Sequence, residues 1–330
     1  MTLLASAESV PVAATVATSP AMRPVFIVGC QRSGSTMLGA MLGTHPGIVC
    51  IPEAQFVVDL MPRGGPAAAI DPAGIIDAVA KHWRFRVWEF DLGQRRPTAG
   101  EAPSFRCAIE WLVREYAESL GRQGAKIWVD QQPGHANHLW KLVQHFPDAK
   151  IIHIVRDGRA VAASIMPLDW GPNDIYGAAR YWQQQLTYGY AAGAAFGPER
   201  ILHVRYEDVV EEPEPTMRRI AAYVGVDFMA SMLSTTGLKL PRFTRHQHQL
   251  IGAPLRADRV ASWSKSLSRR QIEIFESVVG DLLPLLGYRP VFGDMPRPPT
   301  LPEKTRFRLH NEVRKAVNAL RFRLRQIPYR

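Results

Sequence analysis

The fold is decided by residues 24–42, whose sequence is PVFIVGCQRSGSTMLGAML. A short apolar run ends at Gly29, a turn rich in glycine and hydroxyl side chains follows, and small and apolar residues continue to Leu42. Continuous apolar runs of this length are typical of central parallel strands that are covered on both faces. The stretch therefore predicts a buried strand, a phosphate-binding loop and a helix, in that order.

The turn nearly matches the phosphate-loop pattern G-x-x-x-x-G-K-S/T. Gly29 and Gly34 have the required spacing and Thr36 takes the final hydroxyl position, but Ser35 stands where the pattern has lysine. In enzymes that use nucleoside triphosphates, that lysine contacts the β- and γ-phosphates. The serine at this position therefore argues against ATP or GTP as the ligand.

The same loop can bind an oxyanion without a metal ion. Backbone N–H groups at the N-terminus of a helix attract anions, and Ser33, Gly34, Ser35 and Thr36 would surround the ligand with donors. Arg32 can add charge-assisted hydrogen bonds. We therefore predict that these five residues hold a phosphate or sulfate group; the alternative is an ordinary glycine turn.

Four further apolar runs predict strands, at residues 47–51, 126–130, 151–155 and 201–206. Helical patterns separate them, and residues 64–124 form a helical insertion interrupted by Gly and Pro. Strands that alternate with helices favour right-handed crossovers and a mostly parallel, doubly wound α/β sheet.

A second candidate anion site follows the apolar run at residues 151–155. Arg156 comes directly after this predicted strand, and Ser164 lies two turns into the helix that follows. Anion sites at neighbouring strand ends indicate a ligand with two separated anionic groups. By itself, the string RDGR at residues 156–159 is also typical of an exposed turn.

The positive charge of the chain is concentrated at its C-terminus. The 330 residues carry a net charge of +10, and residues 301–330 hold nine Lys or Arg against two Glu, which leaves +3 on the first 300 residues. A nearly neutral body is poor support for nucleic-acid binding, so we predict no nucleic-acid partner.

The composition divides the chain into three parts. Residues 1–22 are rich in Ala, Val, Ser, Thr and Pro and predict a disordered leader, residues 23–295 predict the folded domain, and residues 296–330 predict a basic amphipathic tail. The leader lacks the basic start of a secretory signal. Three cysteines without C-x-x-C spacing suggest neither a disulfide framework nor a zinc site. A reducing cytoplasm is therefore the expected compartment.

The paired anion motifs resemble those of the sulfotransferases that use 3′-phosphoadenosine 5′-phosphosulfate (PAPS). Residues 31–36 are similar to the family's 5′-phosphosulfate loop, and Arg156 with Ser164 is similar to its 3′-phosphate motif. Tyr206 lies in a segment that resembles the family's strand end with a tyrosine near the adenine. The sequence of residues 156–160 is most similar to the tyrosylprotein and bacterial carbohydrate or natural-product branch.

This resemblance implies a P-loop NTPase-like fold and transfer of a sulfuryl group from PAPS to a hydroxyl. The product would be 3′-phosphoadenosine 5′-phosphate (PAP), and no metal ion would be required. Residues 251–263 resemble the family's closing loop, so that Arg256 and Arg259 would close over the nucleotide phosphates; a solvated basic turn is the alternative. An atypical P-loop kinase and a nucleotide-binding protein with little turnover stay open as functions.

Glu53 is the residue that we expect to act as general base. It follows the second predicted strand, and the matched branch has a glutamate in this region; a helix-capping or arginine-paired carboxylate is the structural alternative. Related enzymes often have a Lys-x-Pro segment whose lysine contacts the leaving oxygen, but Gln131 takes that position here and donates only a neutral hydrogen bond. Arg32 then carries this role, unless Asp130 joins the acid/base chemistry or turnover is slow.

No motif in the sequence identifies the acceptor. We expect a small molecule or a glycolipid, recognised by the helical insertion and by the loops near Trp170 and His246. The histidines of the chain do not form a convincing metal set.

Apolar residues recur at helical spacing in the C-terminal tail, and arginines and lysines lie among them; these apolar residues are Val313, Val317, Leu320, Leu324 and Ile327. The pattern predicts an amphipathic cationic helix. Three roles stay open for it: packing on the domain, self-association into a homo-oligomer, and peripheral contact with an anionic membrane at its cytoplasmic face.

Overall fold

The computed structural model describes residues 21–245, 247–248, 251–257, 260–293 and 295–327. Arg259 and His246 therefore lie outside the described residues, as does the predicted leader except for Ala21 and Met22. Met22 is buried in the core, directly before the first strand.

A five-stranded parallel sheet forms the centre of the domain, as the sequence predicts. The strands are β1 Arg23–Gly29, β2 Ile48–Ile51, β3 Ile127–Asp130, β4 Lys150–Val155 and β5 Ile201–Arg205. They lie in the order β2-β3-β1-β4-β5, and each neighbouring pair is parallel. Because the strand order changes direction at β1, a crevice for a ligand is expected at the carboxyl ends of the strands.

Helices connect the strands and follow the last of them. Within the described residues they are α1 Ser35–Leu42, α2 Phe56–Asp59, α3 Pro72–Lys81, α4 Trp83–Arg86, α5 Phe105–Ser119, α6 Leu139–His145, α7 Gly158–Ile165, α8 Ile175–Phe196, α9 Tyr206–Glu211, α10 Pro213–Val224, α11 Arg242–Arg245, α12 Trp263–Ser266, α13 Arg269–Val279, α14 Leu282–Leu285 and α15 Leu301–Gln326. Two 3₁₀ helices cover Pro133–His138 and Ala230–Leu233. None of the described helices combines the length and the apolar character needed to cross a membrane.

Apolar side chains are buried on both faces of the sheet. On β1, Phe26 and Val28 pack into a cluster that includes residues of α3 and α5, whereas Val25 and Ile27 pack into a second cluster with residues of α1 and α10. Alternation of side chains along a strand places these two pairs on opposite faces. The apolar run thus forms the covered central strand that its sequence predicts.

The helix α8 was not predicted, and two glycines let it approach the sheet closely. A Cβ atom at Gly189 would lie 2.3 Å from the ring of His153 on β4, and one at Gly193 would lie 2.5 Å from His203 on β5. The two histidine Nδ1 atoms lie 2.9 Å apart, and burial lowers the pKa of His153 to about 3. His153 is therefore a neutral core residue at neutral pH.

Candidate active site

A cavity of about 350 Å³ opens at the carboxyl ends of the strands. Each of the five strands is followed by at least one residue that lines it. Among the residues predicted from the sequence, those that line the cavity are Arg32, Gly34, Ser35, Thr36, Glu53, Arg156, Tyr206 and Arg256. The structure therefore brings most of the predicted site residues to one cavity.

The turn between β1 and α1 is shaped to hold an anion. Gly34, at the N-cap of α1, has a φ of 100°, and no side chain caps the first turn of the helix. A Cβ atom at Gly34 would lie 2.5 Å from the ring of Tyr206, so only glycine fits there. The Ser33 hydroxyl is buried and has no hydrogen-bond partner among the described residues. Uncapped N–H groups and an unused buried hydroxyl fit a phosphate or sulfate ligand.

Arg32 joins the two predicted anion motifs. Its Nε donates to Ser164 Oγ at 3.1 Å, and its Nη2 donates to the Gln247 carbonyl at 2.9 Å. Arg156 Nη1 donates in turn to the Arg32 carbonyl at 2.9 Å, and its guanidinium lies 4.2 Å from the centre of the Tyr206 ring. Ser164 thus contacts Arg32 and is not itself among the cavity-lining residues. The two motifs form a single connected site.

The charges at this site are coupled. Burial, and then the positive charge of Arg156, lower the pKa of Arg32, while the negative charge of Glu53 opposes the shift. Two neighbouring cations in a partly buried cavity are relieved by an anion that binds between them. Glu53 therefore lies close enough for its negative charge to act on the Arg32 guanidinium.

Buried ion pairs hold the turn that carries Arg156. Arg159 donates to Asp157 and to Glu276, with both N–O distances at 2.8 Å. The Asp157 N–H donates to Glu207 Oε1 at 3.0 Å. The second arginine of the RDGR string is therefore structural, and it holds the backbone that presents Arg156 to the cavity.

Glu53 lies at the cavity wall and is paired with an arginine. Arg84 Nη1 on α4 lies 3.0 Å from Glu53 Oε2, and about a fifth of the Glu53 side chain is exposed. The Trp88 indole donates to the Glu53 carbonyl at 3.2 Å. The arginine-paired arrangement left open by the sequence is thus present, and the carboxylate still lines the cavity.

Gln131, which takes the position of the expected lysine, and Asp130, which precedes it, both have fixed partners. Asp130 is fully buried; it accepts from the N–H groups of Ala54 and Gln132 and pairs with His135 at 2.9 Å. Gln131 accepts a 2.9 Å hydrogen bond from the Thr36 hydroxyl. Asp130 does not line the cavity, which argues against its acid/base role. Arg32 and Arg84 are the cations beside Glu53.

An aromatic cluster at the cavity wall was missed by sequence reasoning. Trp83 on α4, Phe243 on α11 and Phe322 on α15 have ring centres between 5.4 and 6.3 Å apart. Arg325 lies 4.6 Å from the centre of the Phe243 ring. All four residues line the cavity. These residues come from three segments that are far apart in the sequence, so they share no sequence motif. Only Trp83 had a sequence signal, because it lies in the aromatic-containing helical insertion.

No group of His, Cys, Asp and Glu side chains suited to a metal ion occurs among the residues that the structure describes. The three cysteines, Cys30, Cys50 and Cys107, are free thiols.

The sequence of this chain is similar to those of known proteins. The family model described as "Sulfotransferase family" matches residues 24–230. Protein-tyrosine sulfotransferase A of Caenorhabditis elegans is 25% identical over 276 residues, which cover 81% of this chain and 67% of that protein. Nodulation protein NoeE of Sinorhizobium fredii is 26% identical over 302 residues, which cover 82% of this chain and 67% of that protein.

A solved structure shows the same fold. The sulfotransferase domain from the Synechococcus PCC 7002 olefin synthase superposes with a TM-score of 0.57 at 22% identity, covering 82% of this chain and 97% of that domain. The region matched by the family model is more than half of the chain and contains the predicted phosphate loop, Glu53, Arg156, Ser164 and Tyr206. The chain therefore belongs to the sulfotransferase family.

Proposed function

We propose that this sulfotransferase moves a sulfuryl group from PAPS to a hydroxyl of a carbohydrate, a glycolipid or a secondary metabolite. The observation that carries the proposal is the connected set of Arg32, Ser164 and Arg156 beside the uncapped N-terminus of α1. A donor with a 5′-phosphosulfate and a 3′-phosphate presents two anionic groups to such a site.

PAPS supplies an activated sulfuryl group, whose sulfur forms a bond to the acceptor oxygen as its bond to the 5′-phosphate oxygen breaks. The N–H groups of Ser35 and Thr36, with the Arg32 guanidinium, stabilise negative charge at the 5′ end. Arg156 binds the 3′-phosphate, and Tyr206, against which Arg156 lies, faces the adenine side. Arg256, which lines the same cavity, adds positive charge near the phosphates. This charge stabilisation needs no metal ion.

Glu53 acts as the general base for the acceptor hydroxyl. Its carboxylate lies on the cavity wall, and the ion pair with Arg84 holds it in one position there. A base must lie within hydrogen-bond reach of the proton that it removes, and a fixed position favours that geometry. The proton of the hydroxyl passes to Glu53 as the new S–O bond forms.

The acceptor side of the cavity is aromatic. Trp83, Phe243 and Phe322 present large apolar surfaces next to the charged residues Arg84 and Arg325. Such a wall suits a sugar ring or an apolar ring system that carries a free hydroxyl. A peptide tyrosine is the alternative acceptor, because relatives of the chain are named protein-tyrosine sulfotransferases.

We also infer a cytoplasmic site of action, which the free thiols support.

Ligand-dependent thermal unfolding tests the donor site. PAP at about 100 times its dissociation constant is expected to stabilise the protein by about 2.7 kcal/mol, whereas ATP with Mg²⁺ at the same concentration leaves the melting temperature unchanged. ADP, which lacks the 3′-phosphate, is expected to give a smaller shift than PAP. Stabilisation by ATP with Mg²⁺ but not by PAP would instead support a P-loop kinase.

A further inference from the structure

The helix α15 packs on the domain with its polar and aromatic side. Asn318 Nδ2 donates to Asn173 at 2.8 Å, Arg325 pairs with Asp169 at 3.2 Å, and the Phe322 ring lies 5.4 Å from that of Trp83. Phe322 and Arg325 also line the cavity. One side of α15 is therefore part of the catalytic domain.

The opposite side of α15 presents an apolar stripe to the surroundings. At helical spacing, Leu309, Val313, Leu320, Leu324 and Ile327 are all exposed, each by more than half of its surface. Surface helices ordinarily turn their apolar stripe toward the core. Since the other side of α15 packs on the domain, the exposed stripe is available to contact a binding partner.

Unpaired positive charge borders this stripe. Arg306, Arg321 and Arg323 are exposed and have no ion pair among the described residues. The helix as a whole carries eight Lys or Arg against two Glu. An apolar stripe bordered by arginines is the pattern of helices that lie in the interface of an anionic bilayer. A second copy docked through the same stripe would bring two strongly cationic helices together, which is unfavourable.

We propose that α15 docks the protein on an anionic membrane surface through its outer apolar stripe. Docking in this way holds the aromatic wall of the cavity, which lies on the inner side of the helix, one helix diameter (~10 Å) from the bilayer surface. Where the proposed sulfuryl transfer holds, the acceptor that this orientation favours is an amphiphile whose hydroxyl-bearing head group extends from the membrane.

Vesicle flotation tests the docking directly and does not depend on catalysis. The full chain is expected to float with vesicles that contain phosphatidylserine and phosphatidylcholine. With vesicles of pure phosphatidylcholine, it is expected to remain in the bottom fraction of the gradient. The double variant Leu320→Asp, Leu324→Asp is expected to lose at least about tenfold in vesicle binding. Replacing Arg321 and Arg323 with glutamine is expected to cost about fivefold per charge, and added salt should weaken binding further.

Matched variants separate docking from folding and from the active site. Leu285→Asp changes an even more exposed leucine outside α15, and Arg218→Gln changes an exposed arginine on α10; both are expected to bind vesicles like the wild type. PAP is expected to stabilise all these variants equally. If PAP does not bind, that result contradicts the proposed function but leaves the proposed membrane docking untouched.

Two results would overturn the proposal. One is that the wild type does not float with the anionic vesicles, or that the aspartate variant floats equally well. The other is that light scattering shows a dimer that the aspartate variant converts to a monomer, without vesicle binding, since a second copy would then cover the stripe.

Discussion

Replacing Glu53 with glutamine is expected to lower kcat by about 10²- to 10⁴-fold, the usual contribution of a positioned general base. Glutamine keeps the size of the side chain but cannot accept the proton of the acceptor hydroxyl. PAP affinity is expected to stay close to that of the wild type, because Glu53 belongs to the acceptor side of the site. Steady-state kinetics with titration of PAP separates the two effects.

The ion pair with Arg84 makes a matched control necessary. Arg84→Gln removes the same ion pair and leaves the carboxylate in place. If Glu53 is the base, its variant is expected to be at least about tenfold slower than Arg84→Gln. Equal losses in the two variants would show that the carboxylate acts only as the partner of Arg84.

Replacing Arg156 with alanine is expected to weaken PAP binding by about 10- to 150-fold. A charge-assisted hydrogen bond to a phosphate contributes about 1.5 to 3 kcal/mol, and Arg156 also holds the Arg32 carbonyl and lies against Tyr206. Isothermal titration with PAP measures the change. Arg156→Lys is expected to recover only part of the affinity, because lysine lacks the planar set of donors.

The control for this variant is Arg218→Ala, an exposed arginine that pairs with Glu214 on α10. Its PAP affinity is expected to match the wild type. A dissociation constant for Arg156→Ala within about twofold of the wild type, in a protein that melts normally without ligand, would remove Arg156 from the donor site.

The sheet was predictable because each strand is marked locally. Five short apolar runs, each followed by glycine, proline or charged residues, became the five parallel strands. The strand, turn and helix of the predicted phosphate loop could be predicted for the same reason, since they are consecutive in the chain. The positions of Arg32 and Arg156 at one edge of the sheet were predictable, because Arg32 lies in the turn after β1 and Arg156 directly follows β4.

The acceptor side could not be predicted, because tertiary contacts between remote segments build it. Nothing near Arg84 in the sequence shows that it pairs with Glu53, and nothing in the tail shows that Phe322 and Arg325 reach the cavity. The helix α8 escaped prediction because half of its buried residues are alanine or glycine, which weakens the apolar pattern. It approaches the histidines of β4 and β5 through Gly189 and Gly193.

The tail shows how an apolar pattern can predict a helix and leave its orientation open. The spacing from Val313 to Ile327 correctly predicted a helix. A rule that turns the apolar stripe toward the core would have placed the wrong side on the domain, since Asn318 and Phe322 are the residues that face it. Specific polar and aromatic contacts determine the orientation, and these depend on Asn173 and Trp83, far away in the sequence.

Transfer of a radiolabelled sulfuryl group from PAPS shows directly whether this protein is an active sulfotransferase that uses Glu53 as its base. The purified protein is incubated with labelled PAPS and with lipid extracts, soluble metabolites or a tyrosine-containing peptide. We predict labelled product in the lipid or metabolite fraction, PAP released in equal amount, and loss of both in Glu53→Gln. Absence of labelled product from every fraction would contradict the proposed function, and an equal yield from the wild type and the glutamine variant would contradict the role of Glu53.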